Sequence, residues 1–290
     1  MIDTKARIIA NERLTKDYWR ITLDVTEIVY KIKPGQFINI RLSKRNDPYF
    51  RRPFSVFRRV KLTGGNLGIE VVYKVVGVGT NLMTLLREGD KLDIIGPLGH
   101  GFEQNLDKRT QVLLAGGIGA ASLFLLAEEI SRLVKQHELE LYLLLGAETE
   151  STLILTKEFK ALGGKVLVST DDGTYGYQGS VIEMLTDALE KGNISSDCAI
   201  YAYGPEPMYR ALSSICQQYN IPAQIAMERH MMCGVGACLC CVCYVKEESV
   251  SKYRDLSSSH ILFESERQYG HALVCRDGPV FHIDEVILDG

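Results

Sequence analysis

The sequence predicts a multidomain α+β chain with an antiparallel β-barrel first, an α/β unit with a parallel sheet second, and a small cysteine-rich unit last. Three observations predict it. Up to about Ile95 the apolar pattern has a period of two; beyond Gly96 short apolar runs alternate with helical stretches; and six of the eight cysteines fall between Cys233 and Cys275. The units expected from these changes are 1–100, 101–226 and 227–290. A chain of 290 residues, at roughly 100–200 residues per domain, can bury more than one core.

In the first unit, Trp19–Val25 and Ile69–Val75 alternate as half-buried strands do, and Pro34-Gly35, Gly64-Gly65, Gly77 and Gly89-Asp90 punctuate the pattern with no long helix between. A small antiparallel barrel fits this best. The second unit opens with a strand over Gln111–Ala115 and a helix over Ala120–Gln136. Further strands are expected at Glu140–Leu145, Lys165–Thr170 and Cys198–Tyr203, and helices near Thr152–Ala161, Gly179–Glu190 and Pro207–Gln218. Such alternation builds βαβ units and a parallel sheet. The stretch His100–Asp107 reads as the linker. The third unit, broken by a polar stretch from Lys246 to Gln268, is too small to fold unaided, and a bound metal group would supply what its core lacks.

Composition narrows the function. With 33 basic and 36 acidic residues the formal charge is −3, and there is no extended Lys/Arg stripe, so nucleic acid is not expected as a partner. Apolar runs such as Val112–Ala115 and Leu141–Leu145 are far short of a membrane span. Met1–Lys5 shows no basic-then-apolar signal segment, which predicts a cytoplasmic protein. A disulfide framework is not expected either, because it serves small secreted domains that lack a core.

The sharpest motif is Cys233-x4-Cys238-x2-Cys241 with a distant Cys275. This is the plant-type spacing for a two-iron, two-sulfur (2Fe-2S) cluster. Gly234 and Gly236 suit a loop that curls around sulfides with positive φ. A four-cysteine zinc site is the alternative, although it normally uses two short, well-separated pairs. Cys240 and Cys243 are expected as bystanders and His230 as a possible neighbour of the cluster; His100, His137, His260, His271 and His282 are scattered. Cys198 and Cys216 belong to the second unit.

Three further motifs suit nucleotides. Arg52-Pro53-Phe54-Ser55 offers an arginine for a pyrophosphate, an aromatic for a flavin ring and a small hydroxyl for its redox edge. Taken alone it reads rather as a strand start with Phe54 in the core and Arg52 solvated, and Arg51 is expected to be solvated in either case. Gly77, Gly79 and Thr80 open a helix whose N–H groups suit a phosphate, or form a plain turn. Leu113–Ala120 is a strand, a glycine turn (Gly116, Gly117, Gly119) and a helix, which suits a dinucleotide or tight strand–helix packing. The acidic loop Gly146–Glu150 carries no arginine for a 2′-phosphate and leans toward NAD.

In order, Arg-Pro-Phe-Ser, Gly-Pro-Leu-Gly, Gly-Gly-Ile-Gly, Tyr-Gly-Pro-Glu-Pro-Met, Cys-Gly-Val-Gly-Ala-Cys and Cys-Arg-Asp-Gly-Pro-Val-Phe resemble the electron-transfer subunits of dihydroorotate dehydrogenase B, within the ferredoxin–NADP reductase superfamily. The resemblance implies an FAD barrel, a nicotinamide unit and a 2Fe-2S unit facing an FMN-containing dihydroorotate dehydrogenase catalytic subunit in a heterotetramer. It implies electron flow from dihydroorotate through FMN, cluster and FAD to NAD⁺ in pyrimidine biosynthesis. By the same resemblance Arg52, Pro53, Phe54, Ser55, Gly77, Gly79 and Thr80 would hold FAD, Gly116, Gly117 and Gly119 would line the NAD⁺ site, and Cys233, Cys238, Cys241 and Cys275 would ligate the cluster. Ser55 and Tyr203 would stand at the hydride-transfer site, Tyr203 where relatives usually carry Cys. The polar stretch before Cys275 would be a loop added at the partner-facing surface. A related NAD(P)H–ferredoxin or sulfur-compound reductase subunit shares these modules, and a zinc-stabilised binding module that has lost catalysis is the non-enzymatic alternative.

Overall fold

Where apolar residues alternate, the chain forms strands. In the computed structural model, which describes residues 1–42, 48–134, 136–253 and 269–288, the first unit contains β1 (Ile2–Arg13), β2 (Tyr18–Asp24), β3 (Phe37–Arg41), β4 (Arg52–Ser55), β5 (Arg58–Lys61) and β6 (Leu67–Lys74). A short helix, α1 (Val78–Thr84), and β7 (Lys91–Leu98) complete it. Every pairing is antiparallel, in the order β4-β3-β7-β1-β2-β6-β5. The two edge strands, β4 and β5, are consecutive in the chain and separated by Val56 and Phe57 alone, so the sheet must roll up. Ile8, Ile21, Leu23, Ile38, Ile40, Ile69, Val71 and Ile94 fill its interior.

The second unit runs β8 (Thr110–Gly116), α2 (Gly119–Leu133), β9 (Glu140–Ala147), α3 (Thr156–Lys160), β10 (Lys165–Thr170), β11 (Tyr177–Gln178), α4 (Val181–Glu190), β12 (Cys198–Tyr203), α5 (Glu206–Tyr219) and β13 (Ala223–Ala226). Its parallel strands are buried on both faces, which is why they read as unbroken apolar runs. Order β11-β10-β9-β8-β12-β13 reverses direction between β8 and β12, and this is the switch point at which such sheets bind ligands. α4 begins at Ser180 because its hydroxyl and Glu183 form a reciprocal cap.

Two expected helices are shorter than their patterns. The one near Thr152–Ala161 is reduced to α3, because Leu155 sits at φ +63° and a 3₁₀ turn capped by Thr149 occupies Glu150–Thr152. α2 ends at Leu133, three residues before the expected Gln136; Lys135 lies outside the described residues.

The third segment forms a hairpin of β14 (Val242–Lys246) and β15 (Tyr269–Leu273), with the short helix α6 (Val250–Tyr253) between. The chain then returns as β16 (Val280–His282), antiparallel to β13 at the edge of the second sheet. Cys241, Cys243, Val245, Val274 and Phe281 consequently share one core with β8, β12, α4 and α5. Of the expected polar stretch, Lys246 closes β14 and Glu247–Tyr253 form a turn and α6; residues 254–268, His260 among them, lie outside the described residues.

Barrel and sheet dock through Phe57 on Phe124 of α2, with ring centres 4.5 Å apart, and Phe124 on Phe159 of α3 at 5.0 Å. Arg59–Glu129 at 3.0 Å and Arg20–Glu158 at 3.9 Å add ion pairs across the same seam. The linker is tied down: the His100 N–H donates to Gly278 O at 2.6 Å, and the Phe102 N–H to Pro34 O at 2.9 Å.

Candidate active site and iron–sulfur centre

A cavity of about 690 Å³ opens between the barrel and the switch point of the sheet. Arg52, Pro53, Phe54 and Ser55 reach it because β4 is an edge strand whose whole length is half-buried. Arg52 is held in place by its own loop, its guanidinium donating to Phe50 O at 2.8 Å, and so keeps most of its donors for a ligand. Phe54 packs edge-on to Tyr73. Gly77, Gly79 and Thr80 line the same cavity, Gly79 beside Arg52, whose Nε a Cβ there would approach to 3.9 Å. The Thr80 hydroxyl is already engaged by the N–H groups of Val76 and Gly77, at 2.9 and 3.2 Å, and steadies the turn. Gly79 has a packing reason to be glycine, since a Cβ there would come within 2.7 Å of Leu42. Arg51, expected to be solvated, instead donates to Asp93 O at 2.7 Å, and its side chain is 20% exposed.

Across the cavity stands Tyr203, the last residue of β12, buried and paired in register with Ala115 of β8. Its hydroxyl lies 3.4 Å from Ser55 Oγ and donates to Glu228 Oε1 at 2.8 Å. Burial, and then the Glu228 charge, push the Tyr203 phenol well above its ordinary range, so it is a neutral donor at physiological pH. The three glycines of the β8–α2 turn serve different ends. At Gly119 a Cβ would come within 2.0 Å of Tyr203 O, so helix and strand end can meet there only without a side chain. At Gly116 a Cβ would crowd Pro205 and Met208, while Gly117 turns the chain at φ +56° and faces open space. The Tyr209 hydroxyl donates to Ala226 O at 2.6 Å and accepts from the Gly204 N–H at 2.9 Å, clamping the loop after β12.

Glu228 and Tyr209 were not singled out in the sequence. Glu228 lies two residues beyond β13, in Ala-Met-Glu-Arg-His, where only its place after a parallel strand hinted at a site. His230 faces the same cavity.

The four expected ligand cysteines converge in two pairs. Cys233 contacts Cys238, and Cys241 contacts Cys275. Of the adjacent Cys240 and Cys241, the second meets Cys275, whereas Cys240 is exposed. Cys243 is buried on the core side, where burial pushes its thiol up to about 12. Backbone donors aim at the sulfurs: Gly236 N to Cys275 Sγ at 3.1 Å, Val235 N to Cys233 Sγ at 3.4 Å and Cys275 N to Cys241 Sγ at 3.4 Å. Against the cost of its burial, the N–H groups of Val235, Cys238 and Ala237 bring the Cys233 thiol down to about 7. The proton shared with Cys275 lowers Cys241 to about 6 and raises Cys275. Among the described residues no group of three or more His, Cys, Asp or Glu could hold one metal ion. Two cysteine pairs with N–H groups aimed at sulfur fit a two-iron cluster better than a single tetrahedral zinc.

Comparison with known proteins agrees with this geometry. The iron–sulfur cluster binding domain of dihydroorotate dehydrogenase B matches residues 228–255, and an oxidoreductase FAD-binding domain matches residues 5–102. The electron transfer subunit of dihydroorotate dehydrogenase B (NAD(+)) from Caldanaerobacter subterraneus subsp. tengcongensis is 34% identical over 98% of each chain. The chain belongs to this family. The dihydroorotate dehydrogenase B electron transfer subunit of Bacillus caldolyticus is 33% identical over 99% of this chain and all of that one. Among solved structures, an NADH-dependent reduced ferredoxin–NADP oxidoreductase superposes with a TM-score of 0.75 at 26% identity, covering 98% of this chain and 90% of the other. The ferredoxin reductase of carbazole 1,9a-dioxygenase shares the fold, with a TM-score of 0.63 at 20% identity over 76% of this chain and 66% of that one. As a dihydroorotate dehydrogenase B electron transfer subunit the chain is an NAD-linked oxidoreductase whose cofactors are FAD and an iron–sulfur cluster. Among its described residues no helix is long and apolar enough to cross a membrane.

Proposed function

We propose that this chain takes electrons from an FMN-containing catalytic subunit that oxidises dihydroorotate and delivers them to NAD⁺, as part of a cytoplasmic heterotetramer in pyrimidine biosynthesis. The observation that carries the reading is the meeting of Ser55 and Tyr203. It brings the end of the Arg-Pro-Phe-Ser strand to the switch point of the parallel sheet, so a flavin on one and a nicotinamide at the other would share one cavity.

The residue roles follow from position. Arg52 would neutralise the FAD pyrophosphate with a planar, charge-assisted fork, and Pro53 and Phe54 would offer an apolar wall to the ring or ribityl chain. Gly77, Gly79 and Thr80 would hold the phosphate side, and Gly116, Gly117 and Gly119 would line the NAD⁺ site at the start of α2. Ser55 and Tyr203 would fix the reacting edge with two neutral hydroxyls, Tyr203 steadied by Glu228. Cys233, Cys238, Cys241 and Cys275 would ligate a 2Fe-2S cluster, their charge offset by the N–H groups of Val235, Gly236 and Cys275. Bound FAD supplies the conversion between one-electron steps and hydride transfer. In this reading residues 1–100 carry FAD, 101–226 bind NAD⁺, and 227–290 hold the cluster.

The test is reconstitution: the chain is mixed with a dihydroorotate-oxidising FMN protein, and NADH formation from dihydroorotate is followed by absorbance. Failure to form NADH with both proteins fully loaded would remove the pyrimidine assignment. The likeness to the NADH-dependent ferredoxin–NADP oxidoreductase supports a second reading, in which a reduced ferredoxin is the donor, and the same assay with ferredoxin in place of the partner separates the two.

A further inference from the structure

The outward face of β3 carries an unusual residue for a buried strand. Ile38 and Ile40 point into the barrel, whereas Phe37 and Asn39, on the other face, meet the third segment: Phe37 belongs to the core that contains Cys241 and Cys275. Asn39 is wholly buried. Its Nδ2 donates to the carbonyl of Cys233 at 3.1 Å, and its Oδ1 has no partner. A buried amide with one unsatisfied acceptor costs about 1–3 kcal/mol, so a barrel strand with no other task would carry an apolar residue here.

The cysteine loop is shaped around this amide. Gly234 lies at φ +71°, and a Cβ on it would come within 2.5 Å of Asn39 Nδ2. The loop therefore approaches β3 as closely as backbone can, with glycine required both by conformation and by contact. On its other side β3 pairs with β4, Asn39 lying opposite Pro53 and Ile38 opposite Phe54. One side chain thus stands between the backbone of a cluster ligand and the strand that lines the flavin cavity.

We propose that Asn39 is a positioning residue for electron transfer between the iron–sulfur cluster and FAD: by fixing the Cys233 carbonyl to β3 it sets the separation of the two redox centres. The proposal rests on the cofactor placement proposed above. The step it governs moves one electron at a time, each leaving one centre oxidised and the other reduced by one; two such electrons and one proton make up the hydride exchanged with NAD⁺. Because tunnelling falls off steeply with distance, a loop free to shift away from β3 slows this step without touching either cofactor's own ligands. Outer partners of metal ligands act in this way.

The experiment uses the full chain carrying FAD and iron. NADH is mixed in a stopped-flow instrument, and flavin bleaching and cluster bleaching are followed as separate phases, with iron and FAD contents and the cluster's EPR spectrum recorded for each protein. For Asn39→Leu the expected result is unchanged flavin reduction by NADH, full iron and FAD, an altered EPR line shape, and cluster reduction slower by about tenfold, the usual scale for losing such a partner. Cluster reduction at the wild-type rate in the loaded variant overturns the proposal. Should Asn39→Leu lose a cofactor, Asn39→Ala, which removes the amide without crowding Gly234, carries the same expectation. Loss of iron from both variants with FAD retained would make Asn39 a determinant of loop folding and likewise overturn it. A wild-type protein that binds FAD but takes up no iron would instead sink the cofactor placement itself.

Discussion

Tyr203 donates its phenolic proton to Glu228 across 2.8 Å while keeping its oxygen 3.4 Å from Ser55. The pair ties the end of a sheet strand to a residue beyond the last parallel strand, and the barrel reaches the same hydroxyl. Removing that hydroxyl should loosen three elements at once. Tyr203→Phe is expected to keep FAD, to lose about 1 kcal/mol of stability, and to slow flavin reduction by NADH about tenfold through poorer alignment. Stopped-flow absorbance checks the rate and denaturant melts the stability; an unchanged rate would remove Tyr203 from the hydride-transfer site.

Arg52 engages the carbonyls of its own loop, Phe50 O and Arg51 O, and otherwise faces the cavity, so its contribution belongs mainly to the ligand. Arg52→Ala is expected to weaken FAD binding by about 10- to 100-fold, the effect of losing a charge-assisted contact worth roughly 1.5–3 kcal/mol. A flavin fluorescence titration of the apoprotein measures it, and the melting curve of the apoprotein should not move.

The cysteines divide by what their sulfurs meet. Cys238→Ser breaks a pair and should abolish stoichiometric iron, whereas Cys240→Ser, changing an exposed thiol, should leave iron and the visible spectrum intact. Metal removal should also open hydrogen exchange across the Cys233–Cys241 loop, because ligation free energy is folding free energy for a segment that a bound cluster holds. Loss of iron in the Cys240 variant would mean that the two neighbours exchange roles.

Charge after β9 and β10 is expected to set nucleotide choice. Glu148, Glu150, Asp171 and Asp172 follow those strands, and the Thr174 hydroxyl and N–H hold the Asp172 carboxyl below its usual range, so it stays ionised. A 2′-phosphate placed here would meet repulsion, and NADH should reduce the flavin at least about 10-fold faster than NADPH at equal low concentration, the factor that about 1.4 kcal/mol supplies. Equal rates with the two nucleotides would place the adenosine elsewhere.

Alkaline pH should destabilise the protein before it touches the chemistry. Burial pushes the thiols of Cys198 and Cys216 and the phenol of Tyr73 up to about 12. In the unfolded chain these groups lose their protons at about 8.5 for Cys and 10 for Tyr. The folded state then binds more protons than the unfolded one, so stability is full below about pH 8 and falls as pH rises toward 12. Urea midpoints measured between pH 7 and 11 should decline over that interval; a flat profile would show that these groups ionise freely in the fold.

Much of this was legible in one dimension because the signals were local. Period-two alternation marked β2 and β6, apolar runs marked β8, β9 and β12, and the cysteine spacing marked a four-sulfur centre. What escaped depends on contacts far apart in sequence. β16 is three residues long and exists because β13 offers it an edge. Asn39 looks like an ordinary polar residue in a strand until Cys233, 194 residues later, arrives above it. Arg51, expected in solvent, finds its partner in the backbone of β7, 42 residues away. The helix near Thr152 had a helical pattern, but Leu155 in a left-handed conformation divides it.

The return of the chain through β16 has a consequence for how the protein can be taken apart. The Cys233–Cys241 loop is bracketed by β13 before it and by β14 after it, and both of those strands find their partners in the last twenty-odd residues described, β16 and β15. A split between Tyr253 and Tyr269 severs none of these pairings. The two pieces, one ending after α6 and one beginning at β15, each carry part of the cysteine set: three of the proposed ligands on the first and Cys275 on the second. Co-produced, they should form a complementation system in which iron uptake itself reports reassembly.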